Sequence, residues 1–249
     1  MEGLERYAVV SCHVERPLDD RVWSAFERFL RRRPAGFVVT PFLRPPDADF
    51  GEEEALWLER ARRVAGLAPL GHHTHWGGPT QARPLDGDPA EHVRREAGWL
   101  RANGLEPRFF CGGGWYLDPG VAAVLADLGY VDCTATAFRQ SYLAEDAARL
   151  SLPAPARLRL DDGRVLLELP ATHSIGMLAR SVVRALPPTA VHVHFHDWEL
   201  ADRRRTAAIE SLLRALRVRR KPLSVDALAD RAADAREVSW AEAAATLPA

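Results

Sequence analysis

The stretch VHVHFHDWEL, residues 191–200, sets three histidines at alternate positions and follows them with an acidic, aromatic tail. Imidazole is the commonest metal-binding side chain and carries protons near neutral pH, so the pattern points to metal or acid–base chemistry. Alternate residues of a strand share a face and lie ~6.6 Å apart, so His192 and His196 are separated by ~13 Å and cannot share one ion. His196, at the strand's mouth, reads as the functional member and His192 as a hydrogen-bonded interior group. His194 stands between these readings.

A second group, HHTH at 72–75, repeats the theme. In an extended segment His73 and His75 point the same way and His72 the opposite way, and a His-x-His pair can chelate. His73 and His75 are therefore candidate ligands, and His13, ending the first expected strand, lines up with them. Glu15, two residues further on, can be a ligand, a general base or a loop salt-bridge partner. Asp132, in YVDCTAT, is a candidate to hold a catalytic histidine. Asp197 and Glu199 can orient an imidazole or contact substrate.

The run CGGGWY at 111–116 invites a further reading. Gly112, Gly113 and Gly114 permit close backbone approach and can aim N–H groups at an oxyanion. Without GxGxxG spacing or a following GK[ST], the run is a poor nucleotide loop. Trp115 and Tyr116 suit the apolar face of a sugar ring, and Trp76 adds to the same wall. Cys111 reads as a packed, unpaired cysteine.

These residues need a scaffold that gathers strand ends. Short apolar runs at 7–13, 36–42, 67–72, 107–111, 131–134, 165–169 and 191–196 read as strands. Helices are expected at 52–65, 118–128, 175–185 and 200–218. Another starts after Asp19 or Asp20. A further helix opens at Asp88-Pro89, has Glu91 three residues after its cap, and closes before Gly104. Residues 137–163 look irregular up to an Asp162-Gly163 hairpin turn, and the Ala-rich tail, 224–249, reads as helical. Repeated βα units imply a parallel sheet, open or closed into a barrel, whose C-terminal strand ends converge on one face. Eight of the nine histidines, all but His92, fall at or near such ends.

Composition narrows the function classes. The 249 residues are 47% hydrophobic with a net charge of −1, as expected for one globular α/β domain over 1–249. No basic excess favours nucleic acid or a membrane surface, and Arg203-Arg204-Arg205 reads as a solvated helix face. Three cysteines without CxxC spacing, no leader-like start and no ~20-residue apolar span fit a cytoplasmic protein.

On these motifs the chain resembles the polysaccharide deacetylase (NodB-homology) superfamily over roughly residues 7–200. VVSCHVE stands where that family has its first strand and aspartate pair, and GHHTHW where it has its His-(Ser/Thr)-x-x-His metal motif. RFFCGGGWYLDPGVAAVLADLGYVDCTAT follows its third motif, and FHDWEL its Phe-His-Pro-Trp-Glu-Leu. The resemblance implies a distorted parallel (β/α) barrel of about seven strands and a divalent ion, zinc foremost, with cobalt, nickel or manganese as alternatives. It also implies hydrolysis of an N-acyl bond in a small-molecule or oligosaccharide substrate, with Trp198 near that substrate. Three positions depart from the pattern: His13 replaces an aspartate, Gly77 the second metal histidine, and Cys111 an arginine. The metal set is then rebuilt from His13, His73 and His75, with Glu15 as base and His196 as general acid. The alternatives are a histidinol-phosphatase-like phosphoesterase, whose His-x-His motif HHTH also resembles, and a glycan-binding barrel without turnover.

Overall fold

The computed structural model describes residues 3–144, 147–181 and 189–245. In chain order its main elements are β1 (Tyr7–Val14), α1 (Asp20–Arg32), β2 (Val39–Leu43), α2 (Glu54–Ala65), β3 (Gly71–Thr74), α3 (Pro89–Ala102) and β4 (Phe109–Gly112). There follow α4 (Pro119–Leu128), β5 (Val131–Asp132), β6 (Ala156–Arg159), β7 (Val165–Glu168), β8 (His173–Ser174), α5 (Ile175–Ser181) and β9 (Val191–His196). The chain continues with α6 (Arg203–Arg219), β10 (Lys221–Pro222), α7 (Val225–Arg231), β11 (Glu237–Ser239) and α8 (Trp240–Ala245). Residues 182–185 of the expected fifth helix, and 246–249 of the tail, lie outside the described residues.

Local chemistry sets the helix starts. Asp19 accepts from the N–H groups of Arg21 and Val22, and Asp88 from those of Ala90 and Glu91. Asp118 caps α4 and Asp202 caps α6. The α6 cap corrects the expected start at 200, because residues 197–201 form a separate 3-10 turn. The third strand also begins later than expected. The N–H groups of Leu67 and Ala68 bond back to the Val64 carbonyl, which extends the end of α2 and leaves 71–74 as the strand. His72 and His73 therefore lie within β3.

One sheet, mostly parallel, runs β11-β6-β7-β5-β4-β3-β2-β1-β9-β8, with β10 beside β1. Only the β6–β7 hairpin is antiparallel among the described pairings. Among the described residues the strands number eleven, more than the about seven expected, because several two- and three-residue strands join the sheet. The tail is not wholly helical: β11 pairs with β6, from Glu237↔Arg157 to Ser239↔Arg159. The segment from β7 to β8 bonds to β5 at one end and to β9 at the other. Its Leu169 N–H bonds to Asp132 O, and its Thr172 N–H to His192 O.

The inner side of the sheet changes character along its length. Val9, Phe42, Phe109 and Val131 pack with Val225, Leu228 and Ala229 of α7 in an apolar cluster. Gly71 carries no side chain there because a Cβ would sit 2.5 Å from the Phe42 ring. Further along the same strands come His13, His73 and His194, all buried. On the outer side, α1 buries Trp23, Phe26, Phe29 and Leu30 against β1, β2 and β9. No helix among the described residues is long and apolar enough to cross a membrane.

Candidate metal centre

Strand register brings the inner histidines together. In the β1–β9 ladder His13 lies opposite His196 and Ser11 opposite His194, while the β3–β4 ladder sets His73 opposite Cys111. The His13 ring stacks on His73 at a centroid distance of 4.7 Å and on His194 at 5.4 Å. It meets His196 edge-on at 5.3 Å. His73 and His75 are 5.0 Å apart, His75 lying just beyond β3. Glu15 enters from the loop after β1, its Oε1 3.7 Å from His75 Nε2 and 3.5 Å from His196 Nε2.

Two imidazoles are locked by backbone carbonyls. His73 Nδ1 lies 2.8 Å from Cys111 O and His75 Nδ1 2.9 Å from Pro79 O. A carbonyl only accepts, so each Nδ1 carries the hydrogen and each Nε2 presents a lone pair. Both Nε2 atoms are buried and have no hydrogen-bond partner. A cation between His75 Nε2 and the Glu15 carboxylate, 3.7 Å apart, would satisfy both groups. The donor set therefore fits a metal ion, with the carbonyls orienting the ligands from behind.

The expected ligands divide into two overlapping groups. Glu15, His73 and His75 can bring their ligand atoms within 4.8 Å of one another, and so can His13, His73 and Cys111. The expected triad of His13, His73 and His75 is not one of these groups, because His13 sits deeper, on the Cys111 side. Cys111 is more than packing: its Sγ is 3.6 Å from His13 Nε2. Cys111 and His194 are members of the histidine cluster that single-residue reading underrates, since their neighbours come from other strands. For His194 a signal was present, because it shares a face with His196.

Charge follows the same arrangement. Burial and the neighbouring His73 hold His13 well below the usual imidazole range. Burial and His75 bring His73 down to about 3. Burial alone would raise Glu15, but the His75, His196 and His73 rings outweigh it and hold the carboxyl at about 2. Burial alone would lower His196, yet Glu199 and Glu15 raise it above its ordinary value. Glu199 thus orients the ring, its Oε2 3.7 Å from His196 Nδ1 and 2.9 Å from the His196 N–H. Asp197 does not. It accepts from the N–H groups of Arg16 and Trp198, tying the turn to the loop after β1.

Other expected site residues lie apart from the cavity or face it differently. Asp132 does not meet a histidine. Its Oδ1 accepts from Thr134 Oγ1 and from the N–H groups of Cys133 and Thr134, and Glu168 lies opposite in the ladder. Burial pushes Asp132 up to about 6, and burial with Asp132 beside it raises Glu168 well above the carboxylate range. The Gly112 N–H donates to Thr134 Oγ1, so it is not aimed at an oxyanion. Gly113 is buried beneath the 77–83 loop, where a Cβ would lie 2.5 Å from Thr74 O and 2.6 Å from Ala82 O. Gly114 O is held by Arg83.

The aromatic wall is likewise split. Trp115, at φ +59°, packs onto the histidine cluster, 5.5 Å from His13 and 4.8 Å from His194. Tyr116 turns away, donating to Asp118 with Arg83 over its ring. Trp198 stacks on His196 at 5.5 Å. Trp76 lines a cavity of about 660 Å³ together with His75, Phe50, Trp99 and Arg95.

No protein-family profile and no curated protein sequence matches the chain. Solved structures do resemble it in fold. 4-α-Glucanotransferase from Thermococcus litoralis superposes with a TM-score of 0.54 at 13% identity, over 94% of this chain. This chain spans 40% of the glucanotransferase's length. A Bordetella bronchiseptica protein, described as a candidate polysaccharide deacetylase involved in O-antigen biosynthesis, superposes with a TM-score of 0.50 at 14% identity, over 91% of each chain. A family 4 carbohydrate esterase from Streptomyces lividans, solved in complex with acetate, gives 0.45 at 13% identity, over 84% of this chain and 87% of its own. The chain thus shares an α/β fold with a mostly parallel sheet with the glucanotransferase and the Bordetella bronchiseptica protein.

Proposed function

We propose that the chain is a divalent-metal-dependent hydrolase of the carbohydrate deacetylase type, acting as a single domain on an N-acyl bond of a sugar. The observation that carries this reading is the pair of buried, partnerless Nε2 atoms of His73 and His75 facing the Glu15 carboxylate. His73, His75 and Glu15 would hold the ion, and zinc suits such a nitrogen and oxygen donor set. A bound divalent ion supplies an acidified water, with a pKa near ~7, and polarises the acyl oxygen.

The remaining work falls to the protein's own groups. Glu15 is ionised at neutral pH, and its Oε1 is already shared between His75 and His196. Its other oxygen is the acceptor for the proton of the attacking water. His196, held by Glu199 and raised above the ordinary imidazole range, is the proton donor to the departing amine. Trp198 stacks behind that ring and Trp115 closes the inner wall, which limits water around the reacting atoms. The cavity beside His75 is of a size that accommodates a sugar ring, with Trp76 and Trp99 available for its apolar face. A reducing, cytoplasmic setting suits the three free cysteines.

The test is turnover after metal stripping and reloading with zinc, cobalt or manganese. N-acetylated oligosaccharides and phosphate monoesters are assayed side by side for acetate and phosphate. Acetate release that depends on the added ion is the expected result. Phosphate release without acetate would make the chain a phosphoesterase. Saccharide binding that needs no ion and gives no product would make it a glycan-binding protein.

A further inference from the structure

His73 belongs to both ligand groups, and with its Nδ1 given to Cys111 O only one nitrogen is left to bind a single ion. We infer that His13, His73 and Cys111 form a second, sulfur-containing seat for a soft divalent ion such as zinc or cadmium, exclusive of the His73–His75–Glu15 seat. This inference rests on the metal-centre reading of the same cavity and extends it to which ion is preferred and where it sits.

Three observations support the inner seat. The first is distance. A tetrahedral ion with bonds of about 2.3 Å to sulfur and about 2.0–2.1 Å to nitrogen sets its S···N edge at about 3.5 Å. The Cys111 Sγ to His13 Nε2 separation is 3.6 Å. The second is the orphaned His73 Nε2, buried and partnerless, on a residue that offers a ligand atom within 4.8 Å of those of His13 and Cys111. The third is enclosure. His13, His73 and Cys111 are 5%, 2% and 1% exposed, whereas the outer seat opens through Glu15. Thiolate and imidazole favour zinc and its softer relatives, while a carboxylate-bearing seat also accepts manganese. Occupation of the inner seat replaces the Cys111 S–H bond by a sulfur–metal bond and releases one proton to solvent. Because it uses His73, an ion there withdraws a ligand from the outer seat.

Cobalt(II) titration of the metal-stripped full chain tests this. A thiolate ligand gives cobalt an intense near-ultraviolet charge-transfer band, and a nitrogen and oxygen set does not. The band is expected in the wild type, retained in His75→Ala, and lost in Cys111→Ser. A Cys12→Ser variant, altering a buried thiol outside the seat, is expected to keep it. Cobalt binding without the band, abolished by His75→Ala, would overturn the inner seat and leave the outer one standing. A band that survives Cys111→Ser would also overturn it. Failure of any ion to bind the wild type would remove both readings together.

Discussion

His72 and His73 are consecutive residues of one strand, yet their surroundings differ completely. On the outer face His72 is fully engaged. Its Nε2 lies 2.9 Å from Glu96 Oε2 and 3.1 Å from Thr74 Oγ1, and its Nδ1 lies 3.2 Å from Tyr130 OH. Thr74 also donates to Glu96, and His92 approaches the other Glu96 oxygen at 3.2 Å. On the inner face His73 has one nitrogen satisfied by a carbonyl and the other by nothing. The outer cluster is a hydrogen-bond network centred on Glu96 that locks α3 to the sheet, with His92 Nε2 near its rim but outside hydrogen-bond geometry. The inner cluster is an open set of donors. Histidine content does not separate structure from chemistry here; an unpaired nitrogen that converges with other ligand atoms does.

The largest effect expected on this contrast is from His73→Ala, which removes the ligand common to both seats. Bound metal should fall to background by elemental analysis, and turnover should vanish with it. His196→Ala removes a proton donor but no member of either ligand group. Metal should be retained while turnover drops by roughly 10²–10⁴-fold in steady-state kinetics. His72→Ala strikes the outer network instead. It leaves Glu96 and Tyr130 short of a partner and should cost about 1–3 kcal/mol in denaturant unfolding, with metal content unchanged. Metal loss in that variant without unfolding would erase the distinction between the two faces.

The smallest effect is a pH dependence. Burial alone would raise Glu96, but the hydrogen bond with His72 and the nearby His92 ring outweigh it and hold its pKa at about 2, below the ordinary 4.5. A lowered carboxylate pKa stabilises the fold above the unfolded value, and that contribution is lost as pH falls through the folded value. The stability gap between wild type and Glu96→Gln should therefore be widest above about pH 4.5 and shrink towards about pH 2. Unfolding midpoints of the two proteins across that range check it, and a gap independent of pH would show that the charge of Glu96 is not what the network uses.

Much of this architecture was legible in local chemistry. The Asp88-Pro89 start of α3 is where the cap pattern put it, and Asn103 closes the helix just before Gly104. The alternation in β9 correctly sends His192 inward to a hydrogen bond with Ser11, at 2.9 Å. Signals that depend on distant partners were not legible. β11 is only three residues long, between Arg236 and Trp240, and it exists because β6 offers an edge 80 residues earlier. Asp132 sits at a strand end, where catalytic carboxylates are found, but Thr134, two residues on, donates its hydroxyl to Asp132 Oδ1 and accepts the Gly112 N–H on the same oxygen of its own side chain. Cys111 gains a metal-ligand geometry only when β1 brings His13 to its sulfur. Neither its spacing from other cysteines nor its own neighbours in sequence carry that information.

The most direct test of the central claim is anomalous diffraction at the zinc edge from crystals of the full chain grown with zinc. The account predicts a peak bonded to His73 Nε2 at about 2.0–2.1 Å, with its remaining ligands drawn from the inner face. A peak among His72, His92 and Glu96, or none at His73 at full zinc occupancy elsewhere, would contradict it.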